Sequence, residues 1–477
     1  MIRKGIYILC TSLALGCSAC NDWLTVVPET SLVADNLFET DKGVLQVLDG
    51  AYVLAATNIY RPNGYMGGGG FAEYLACTWT STNEDLANHV YNVDNASFGN
   101  SIGSVFQSFY KIINSLNPMI EGCEENKNKL SEEYYNIVKG EALAIRAALH
   151  LDLMRIWGPM PSKVNATMEY LPYVTVNSTD NYQYHTFDRF MELLLADLNE
   201  AEQLLQKSDP ILNYSADGST EYTGFWTDRK SHFNYYGVLG LQARARLWMN
   251  DKEGALRYAK MVKEVKNADG TSKFTLACED NIGSKSFYTE HLCGVNQDKF
   301  DYQQTGFMGS TNLLIYYNEN YNTFVSDLFG GNADDLRNKN QWSWTYDPRI
   351  PGGRMRVSIT TKYYDMYPSS TTKKNMPVVR LAEMYLVIME TGTLEEANAA
   401  YEEFCTARNI TYTPMTEESR SEIVKWEYLR EFIAEGQNFF TYKRFAVKRM
   451  LWQSEAAADC GEEQYMLPLP PSEYKER

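Results

Sequence analysis

Two stretches of this 477-residue chain place flat aromatic rings beside amide and carboxylate side chains. They are residues 79–85, WTSTNED, and residues 341–346, QWSWTY; a third, shorter stretch begins at Tyr316. Sugars present C–H patches that lie against aromatic rings, and hydroxyls that bond to amides and carboxylates, so such residues on loops suit carbohydrate binding. We therefore predict a glycan-binding site formed by the following side chains: Trp79, Asn83, Asp85, Tyr316, Tyr317, Trp342 and Trp344.

For each of these rings the alternative is packing in the core or beneath a loop, which is the commoner role of a large aromatic side chain. The chain contains 34 Tyr, 20 Phe and 9 Trp, enough for both roles. Its formal net charge of −17 argues against nucleic acid or an anionic membrane surface as the partner, because both attract Lys and Arg.

Catalysis has little support in the sequence. The five histidines form no HExxH or HxH pattern, GxSxG is absent, and no cysteine cluster beyond position 20 has the spacing of a metal site. His150 falls within a predicted core helix, where a packing role is expected. A carboxylate pair for glycoside hydrolysis stays an alternative, since 61 acidic residues guarantee adjacent pairs. We predict a binding protein without enzymatic activity, cofactor or metal.

The elements that must hold these loops are helices. Residues 140–161 read GEALAIRAALHLDLMRIWGPMP, with apolar residues three or four positions apart and alanines over much of the remaining surface, as in a helix surrounded by others. Gly158-Pro159 ends this helix, because proline cannot continue it.

Further helices are predicted from apolar periodicity and capping boxes. They cover residues 36–56, 106–122, 187–205, two helices within 233–265 joined at 249–252, residues 377–390, and helices opened by capping boxes at 393–396 and 419–422. Ala243, Ala255 and Ala259 have tetratricopeptide-like offsets, which predicts stacked helical hairpins in a partial solenoid. The fold class is therefore mostly α.

Two portions of the chain lack a helical period, and we predict that they carry the ligand site. They are residues 57–103 and 270–375, between scaffold segments at about 36–56, 104–265 and 377–450. The glycine-rich residues 57–70 predict a flexible loop, and residues 357–363 a short strand.

The N-terminus has the features of a secretory signal: Arg3 and Lys4, then an apolar run too short to span a bilayer, then small residues before cysteine. Cys17 and Cys20 are both candidates for lipid modification, and we favour Cys20, which gives a signal peptide at 1–19 and one domain at 20–477. Among the six later cysteines, Cys278 and Cys293 bracket an irregular loop and are the pair expected if a disulfide forms.

Motifs spread along the chain resemble the SusD/RagB family of outer-membrane lipoproteins. The core helix carries Arg146-Ala147 and Trp157-Gly158, the segment from Pro377 to Glu390 resembles "pviRyAE.lLm.AE", and Glu435-Gly436-Gln437 resembles "EGqR". The matches extend from Cys20 to Glu473, where the closing LPLP resembles "yPIPqsE". The resemblance implies a surface-exposed, lipid-anchored protein that captures oligosaccharides and delivers them to a SusC-like TonB-dependent transporter.

Two alternatives remain open at this point. The same architecture could capture peptides or other non-sugar nutrients, and acidic loops would then favour basic peptides. A secreted glycoside hydrolase on a helical scaffold is the second alternative.

Overall fold

The structure, a computed structural model, describes residues 37–81, 83–214, 226–297, 318–346, 355–363 and 374–475. The predicted signal peptide, Cys17, Cys20, Tyr316 and Tyr317 lie outside these residues.

The described chain is mostly helical, which confirms the predicted fold class. Its α-helices are α1 Asp41–Asn58, α2 Phe71–Leu75, α3 Glu84–Ala87, α4 Ala96–Glu125, α5 Glu132–Trp157, α6 Phe187–Ser208, α7 Tyr235–Trp248, α8 Lys252–Lys263, α9 Phe324–Phe329, α10 Leu336–Gln341, α11 Leu381–Thr391, α12 Leu394–Arg408, α13 Glu417–Phe432, α14 Asn438–Arg444, α15 Glu462–Tyr465 and α16 Pro471–Lys475. Short 3-10 turns lie at Pro161–Lys163, Pro210–Leu212, Arg229–Ser231 and Tyr288–Glu290. None of the described helices has the length and apolarity that a membrane span requires.

The strands form antiparallel pairs. They are β1 Glu169–Pro172 with β2 Tyr184–Thr186, β3 His291–Asn296 with β6 Asn375–Arg380, and β4 Trp342–Tyr346 with β5 Arg356–Thr360. Strand β5 falls where the sequence predicts a short strand, at residues 357–363, whereas β4 was not predicted. Each pair is too small to be stable alone, so each depends on the helices or loops it packs against.

Helix α5 is the centre of the scaffold, as its sequence predicts. Nearly every residue from Tyr135 onward is buried, and the chain leaves helical geometry at Gly158. Arg146 donates from Nε and Nη2 to the two carboxylate oxygens of Asp197 in α6, both at 2.7 Å. His150 Nδ1 donates to Arg146 O at 2.9 Å and its Nε2 accepts from the Val174 N–H at 3.0 Å, so it is a satisfied core residue.

Consecutive helices pack against one another along the scaffold: α4 with α5, α5 with α6, α7 with α8, and α11 with α12. The predicted joint between α7 and α8 at Met249–Lys252 is confirmed. Whether these pairs form a partial solenoid of tetratricopeptide type stays a prediction.

Helix α1 begins at Asp41 rather than at residue 36, because Thr40 caps it, and three further differences from the predicted elements are larger or more informative. Helix α4 begins at Ala96 rather than at residue 106, because Asn95 caps it through Ser97 N and buried Phe98 and Ile102 anchor a turn whose exposed side is Asn- and Ser-rich. The C-terminal capping box lies one turn earlier than predicted, with Thr416 and Ser419 as its members. The box at Thr393 and Glu396 is confirmed.

The third difference concerns residues 375–380, where the chain is a strand and not the start of a helix. These residues form β6, fully buried against β3, and helix α11 begins only at Leu381. A strand and a helix that are buried on all sides both have continuous apolar sequences, so the spacing of apolar residues cannot distinguish them. Here the pairing with β3 makes the segment a strand.

The predicted disulfide is absent. Cys278 and Cys293 are both free thiols, and Cys293 is buried in β3, where its side chain packs against Gly237 of α7. A Cβ added at Gly237 would lie 2.4 Å from Cys293 Cβ, so this strand and helix are in close contact. The thiol is directed into that contact.

A cluster of buried arginines and carboxylates joins the C-terminal helices to the rest of the molecule. We call it the arginine cluster, and its members are Arg337, Arg380, Arg408, Glu290 and Glu431, each at most 1% exposed. Glu431 accepts from Arg380 at 2.8 Å, from Arg408 at 2.8 and 2.9 Å, and from Arg337 at 3.4 Å. Buried charges persist only when they are paired in this way.

Candidate functional site

The β4–β5 hairpin presents a row of aromatic side chains that runs from the core to solvent. Trp342, Trp344 and Tyr346 alternate along β4, and residues two apart in a strand lie on one face. Trp342 is half-buried, whereas Trp344 and Tyr346 are 41% and 48% exposed. Together with Trp79, which contacts Trp342, these side chains are called the aromatic row below.

The outer end of the row is surrounded by side chains from two further segments. The rings of Trp344 and Tyr346 meet edge to face at 5.6 Å, and the ring of Tyr321 lies 6.0 Å from that of Trp344. The Arg356 guanidinium in β5 lies 4.1 Å from the Trp344 ring centroid and donates to the Tyr321 hydroxyl at 3.3 Å. The result is an exposed platform of three rings with one cation at its edge.

The inner end of the row is packed into the protein. Trp79 is 3% exposed, its indole N–H donates to Gly68 O at 2.7 Å, and its ring lies 6.0 Å from that of Trp342. The ring of Trp342 also lies 4.4 Å from that of Phe324 in α9, which stacks at 4.9 Å on Trp452. These contacts give the exposed rings a rigid base.

The far edge of β5 pairs with a neighbouring segment. Asn318 and Ser358 exchange backbone hydrogen bonds at 3.1 and 2.9 Å, and the Asn318 side chain donates to Thr78 O at 3.0 Å. Asn318 therefore links the hairpin to the loop that carries Trp79, although the two are far apart in sequence.

A turn after α13, residues 433–436, anchors both halves of the site. Ala434 and Gly436 have φ of 61° and 71°, a left-handed geometry that glycine accepts and alanine strains to adopt. From the hairpin side, Lys362 donates to Ile433 O at 2.9 Å and Tyr363 donates to Ala434 O at 2.7 Å. Because the hairpin leads directly into these two residues, its base is fixed to the turn.

From the other side, Glu73 in α2 holds the same turn. Its Oε1 accepts from the backbone N–H of Glu435 at 3.1 Å and of Gly436 at 2.7 Å, and its Oε2 accepts from the Thr78 hydroxyl. Burial raises the pKa of Glu73 to about 7, and these hydrogen bonds partly oppose the shift. Glu73 thus positions the segment that ends in Trp79.

The glycine-rich segment that the sequence predicts to be a flexible loop is packed against this turn. Residues 67–70 are buried, and a Cβ at Gly68 would lie 2.3 Å from Ala434 O. Gly68 O also accepts the Trp79 indole N–H. The glycines therefore permit close backbone contact beneath the site, and the predicted loop is present but packed against the protein.

The predicted site residues fall into three groups. Trp79 and Trp342 come together at the inner end, and Trp344 lies at the exposed end. Asn83 directly precedes α3 and Asp85 lies within it, and both side chains make local hydrogen bonds. Asn83 caps α3 by accepting from Asp85 N and Leu86 N, and Asp85 accepts from the Asn95 side chain at 2.7 Å. Tyr316 and Tyr317 lie outside the described residues.

The burial of Trp79 corrects its expected role. With its ring covered and its N–H bonded to Gly68, this side chain supports Trp342 and offers no stacking face in this structure. Sequence alone cannot separate Trp79 from Trp344, because both stand in polar stretches and only the tertiary contacts of Trp79 cover it.

Three residues of the platform were missed: Tyr321, Tyr346 and Arg356. The period-two spacing of Trp342, Trp344 and Tyr346 is the signal that could have identified the third ring. Arg356 and Tyr321 carry no local signal, since strand pairing brings them to Trp344. Among the described residues no group of three or more His, Cys, Asp or Glu side chains has an arrangement that could hold a metal ion.

Comparison with known families and structures gives a consistent result. Residues 22–215 match a family model described as "SusD-like_3: Starch-binding associating with outer membrane". A comparison of the sequence with curated proteins finds no match.

Solved structures share the fold over nearly the whole chain. A SusD superfamily protein of Bacteroides thetaiotaomicron VPI-5482 is 18% identical, with a TM-score of 0.69 over 91% of this chain and 98% of its own. A SusD-like carbohydrate binding protein of Bacteroides vulgatus ATCC 8482 is 16% identical, with a TM-score of 0.66 over 92% of this chain and 96% of its own. A SusD superfamily protein of Bacteroides fragilis is 17% identical, with a TM-score of 0.65 over 92% and 98%. At these identities the likeness shows the fold.

Proposed function

Because the chain is a SusD/RagB family protein, by its matching N-terminal region and by its fold, we propose that it captures oligosaccharides and delivers them to a SusC-like TonB-dependent outer-membrane transporter. The family model describes starch binding and association with the outer membrane, and a structural relative is described as carbohydrate binding. The transporter and the direction of transfer come from the resemblance of the sequence to the family.

The observation that carries the proposal is the exposed end of the aromatic row. Trp344 and Tyr346 are among the few large aromatic side chains of the described chain that are more than two-fifths exposed, and they are adjacent. An indole left in water forgoes the favourable free energy of burial, which the other described tryptophans, all buried or partly buried, obtain at least in part. A stacking surface for sugar rings accounts for such placement, since C–H patches recover that contact when ligand binds.

The mechanism is binding without bond cleavage. Sugar rings stack on Trp344 and Tyr346, and polar groups at the rim, such as the Tyr321 hydroxyl and Arg356, select the orientation of the ring hydroxyls. The buried inner end keeps the platform preorganised, so little ordering of side chains accompanies binding.

We further propose that Cys20 carries the lipid anchor and that the mature chain is one domain held at the outer face of the outer membrane. The signal-like N-terminus supports this, with Cys17 as the competing acylation site. Mass spectrometry of the mature N-terminal peptide distinguishes Cys17 from Cys20 directly.

Isothermal titration calorimetry against a panel of oligosaccharides tests the central proposal. We expect at least one glycan to bind the wild type and Trp344→Ala to lose most of that affinity, while Tyr134→Ala, a partly buried ring at the start of α5, binds normally. Absence of binding to every glycan by the folded protein would contradict the proposal. Release of reducing ends from a polysaccharide would favour a hydrolase instead.

A further inference from the structure

Most arginines of the described chain hold a carboxylate, whereas Arg356 has no carboxylate partner among the described residues. Three buried arginines each donate from Nε and Nη2 to both oxygens of one carboxylate: Arg146 to Asp197, Arg244 to Glu383 and Arg337 to Asp335. Arg356 donates from Nη1 to the Tyr321 hydroxyl and also interacts with the Tyr346 hydroxyl, and its Nε–Nη2 edge meets no carboxylate among the described residues. That edge has the geometry for a bidentate contact with a carboxylate.

The position of this cation ties it to the proposed ligand platform. The guanidinium is 4.1 Å from the Trp344 ring centroid and 5.6 Å from that of Tyr321, and Arg356 pairs across the hairpin with Tyr346. A sugar stacked on Trp344 would place its ring substituents within reach of this group. The Arg356 guanidinium is therefore placed to form hydrogen bonds or ion pairs with the substituents of a bound sugar.

The charge of the hairpin is opposite to that of the protein. Residues 342–360 contain three arginines and one aspartate, so this segment has a net charge of +2 in a chain of net charge −17. Among the described hairpin residues Arg356 is the charged one. In the adjoining segment, Asp327 is engaged by Thr323 and by the Trp452 indole, at 2.6 and 3.0 Å.

Resting on the proposed glycan-binding function, we propose that this site takes a glycan bearing carboxylates, that is, one containing uronic acid residues, and that Arg356 is the residue that recognises the acidic sugar. A carboxylate on the stacked ring or its neighbour receives two N–H bonds from the Nε–Nη2 edge. Repulsion from acidic groups more than about 8–10 Å away is screened at physiological salt. Glu319, which follows Asn318 beside β5, is a nearer acid and already has an interaction of its own, so we expect Arg356 to decide the preference. This chemistry also disfavours basic peptides at the platform.

The test compares acidic glycans with uncharged forms of the same backbones. Oligogalacturonides, alginate oligosaccharides and glucuronoxylan oligosaccharides are each titrated beside their carboxyl-reduced products, by calorimetry at low and at moderate NaCl. We expect at least one acidic form to bind about fivefold or more tighter than its reduced product, as one exposed charge-assisted bidentate contact provides, with the difference shrinking as salt rises.

Variants then assign the effect to Arg356. Arg356→Gln is expected to bind the acidic form no better than the reduced one, whatever affinity it keeps for the reduced form, and Arg356→Lys to retain part of the preference for the acidic form. Arg189→Gln removes an exposed positive charge from α6 and serves as the matched control.

The outcomes separate this inference from the function on which it rests. If reduced and acidic forms bind equally, or if Arg356→Gln keeps the preference, the inference is overturned and glycan capture stands. If neither acidic nor neutral glycans bind the wild type, glycan capture itself is contradicted.

Discussion

Trp79 and Trp344 belong to one aromatic row but meet opposite surroundings. Trp79 is 3% exposed and its N–H is bonded, whereas Trp344 is 41% exposed and lies under an arginine in contact with water. The arginines show the same contrast, since Arg380 is surrounded by Glu290, Glu431 and Glu435 while Arg356 meets no acid in the described chain. The buried member of each pair holds the fold together, and the exposed member is the one that we propose contacts a ligand.

The largest expected effect is on the buried side, in the arginine cluster. Burial alone would raise the pKa of Glu431, but the guanidinium groups of Arg408, Arg380 and Arg337 hold it well below its ordinary value. The ionised Glu431 carboxylate therefore contributes to the free energy of unfolding at pH values above the ordinary glutamate pKa, and this contribution is lost as pH falls through the lowered pKa of the folded state. Glu431→Gln leaves three arginines undercompensated and should lower the free energy of unfolding at neutral pH by about 3–5 kcal/mol.

Chemical denaturation monitored by tryptophan fluorescence measures this change. Glu417 is an exposed residue at the start of the same helix. Glu417→Gln is therefore the control and should change the free energy of unfolding little. Equal effects of the two variants would show that the cluster adds no more than a surface ion pair.

The second prediction concerns the inner end of the row. Trp79→Ala removes a buried ring and should cost about 3 kcal/mol of stability, because the cavity beneath Trp342 cannot be filled without moving the hairpin. Trp79→Phe keeps a ring and loses the hydrogen bond to Gly68, so about 1 kcal/mol is expected. Both are measured by thermal unfolding, and full stability of Trp79→Ala would mean that this ring is not part of the base.

Glu73 allows a pH-dependent test of how the inner end is held. Its folded pKa of about 7 lies above the ordinary value of 4.5, owing chiefly to burial. Such an acid stabilises the fold fully below the unfolded pKa, and the contribution is lost as pH rises towards 7. Glu73→Gln should remove that loss. The free energy of unfolding of the variant should therefore rise relative to that of the wild type as pH increases from about 5 to about 8, by up to about 3 kcal/mol.

Unfolding temperatures of both proteins across this pH range give the difference. Buried neutral histidines such as His150 and His291 titrate in both proteins and cancel. A difference that does not vary with pH would show that the Glu73 carboxyl does not titrate in this interval.

The smallest effect on stability is expected at the exposed end. Trp344→Ala should change the free energy of unfolding by less than about 0.5 kcal/mol, because its ring packs mainly on exposed neighbours, although the variant loses glycan affinity. Denaturation and titration of the same preparation test both halves of this statement. A large loss of stability would place Trp344 with Trp79 and remove the contrast between the two ends.

The sequence predicted the scaffold well where the signals are local. The period of α5, its stop at Gly158 and the capping box at Thr393 depend on neighbours within a few residues, so they can be identified without a fold. Helix α4 and strand β6 were placed wrongly because burial by distant elements overrides propensity for residues 96–105 and 375–380.

The site shows the same division. The amino-acid sequence by itself identified Trp342 and Trp344 as candidate ligand contacts, because residue type and polar neighbours are properties of the chain, but it placed them on a loop and not on a strand. Only the tertiary structure decided that Trp79 is covered, that Arg356 lies over Trp344, and that Glu73 and Lys362 meet at the 433–436 turn. Exposure and pairing depend on residues up to hundreds of positions apart, and the free energy of packing selects those contacts.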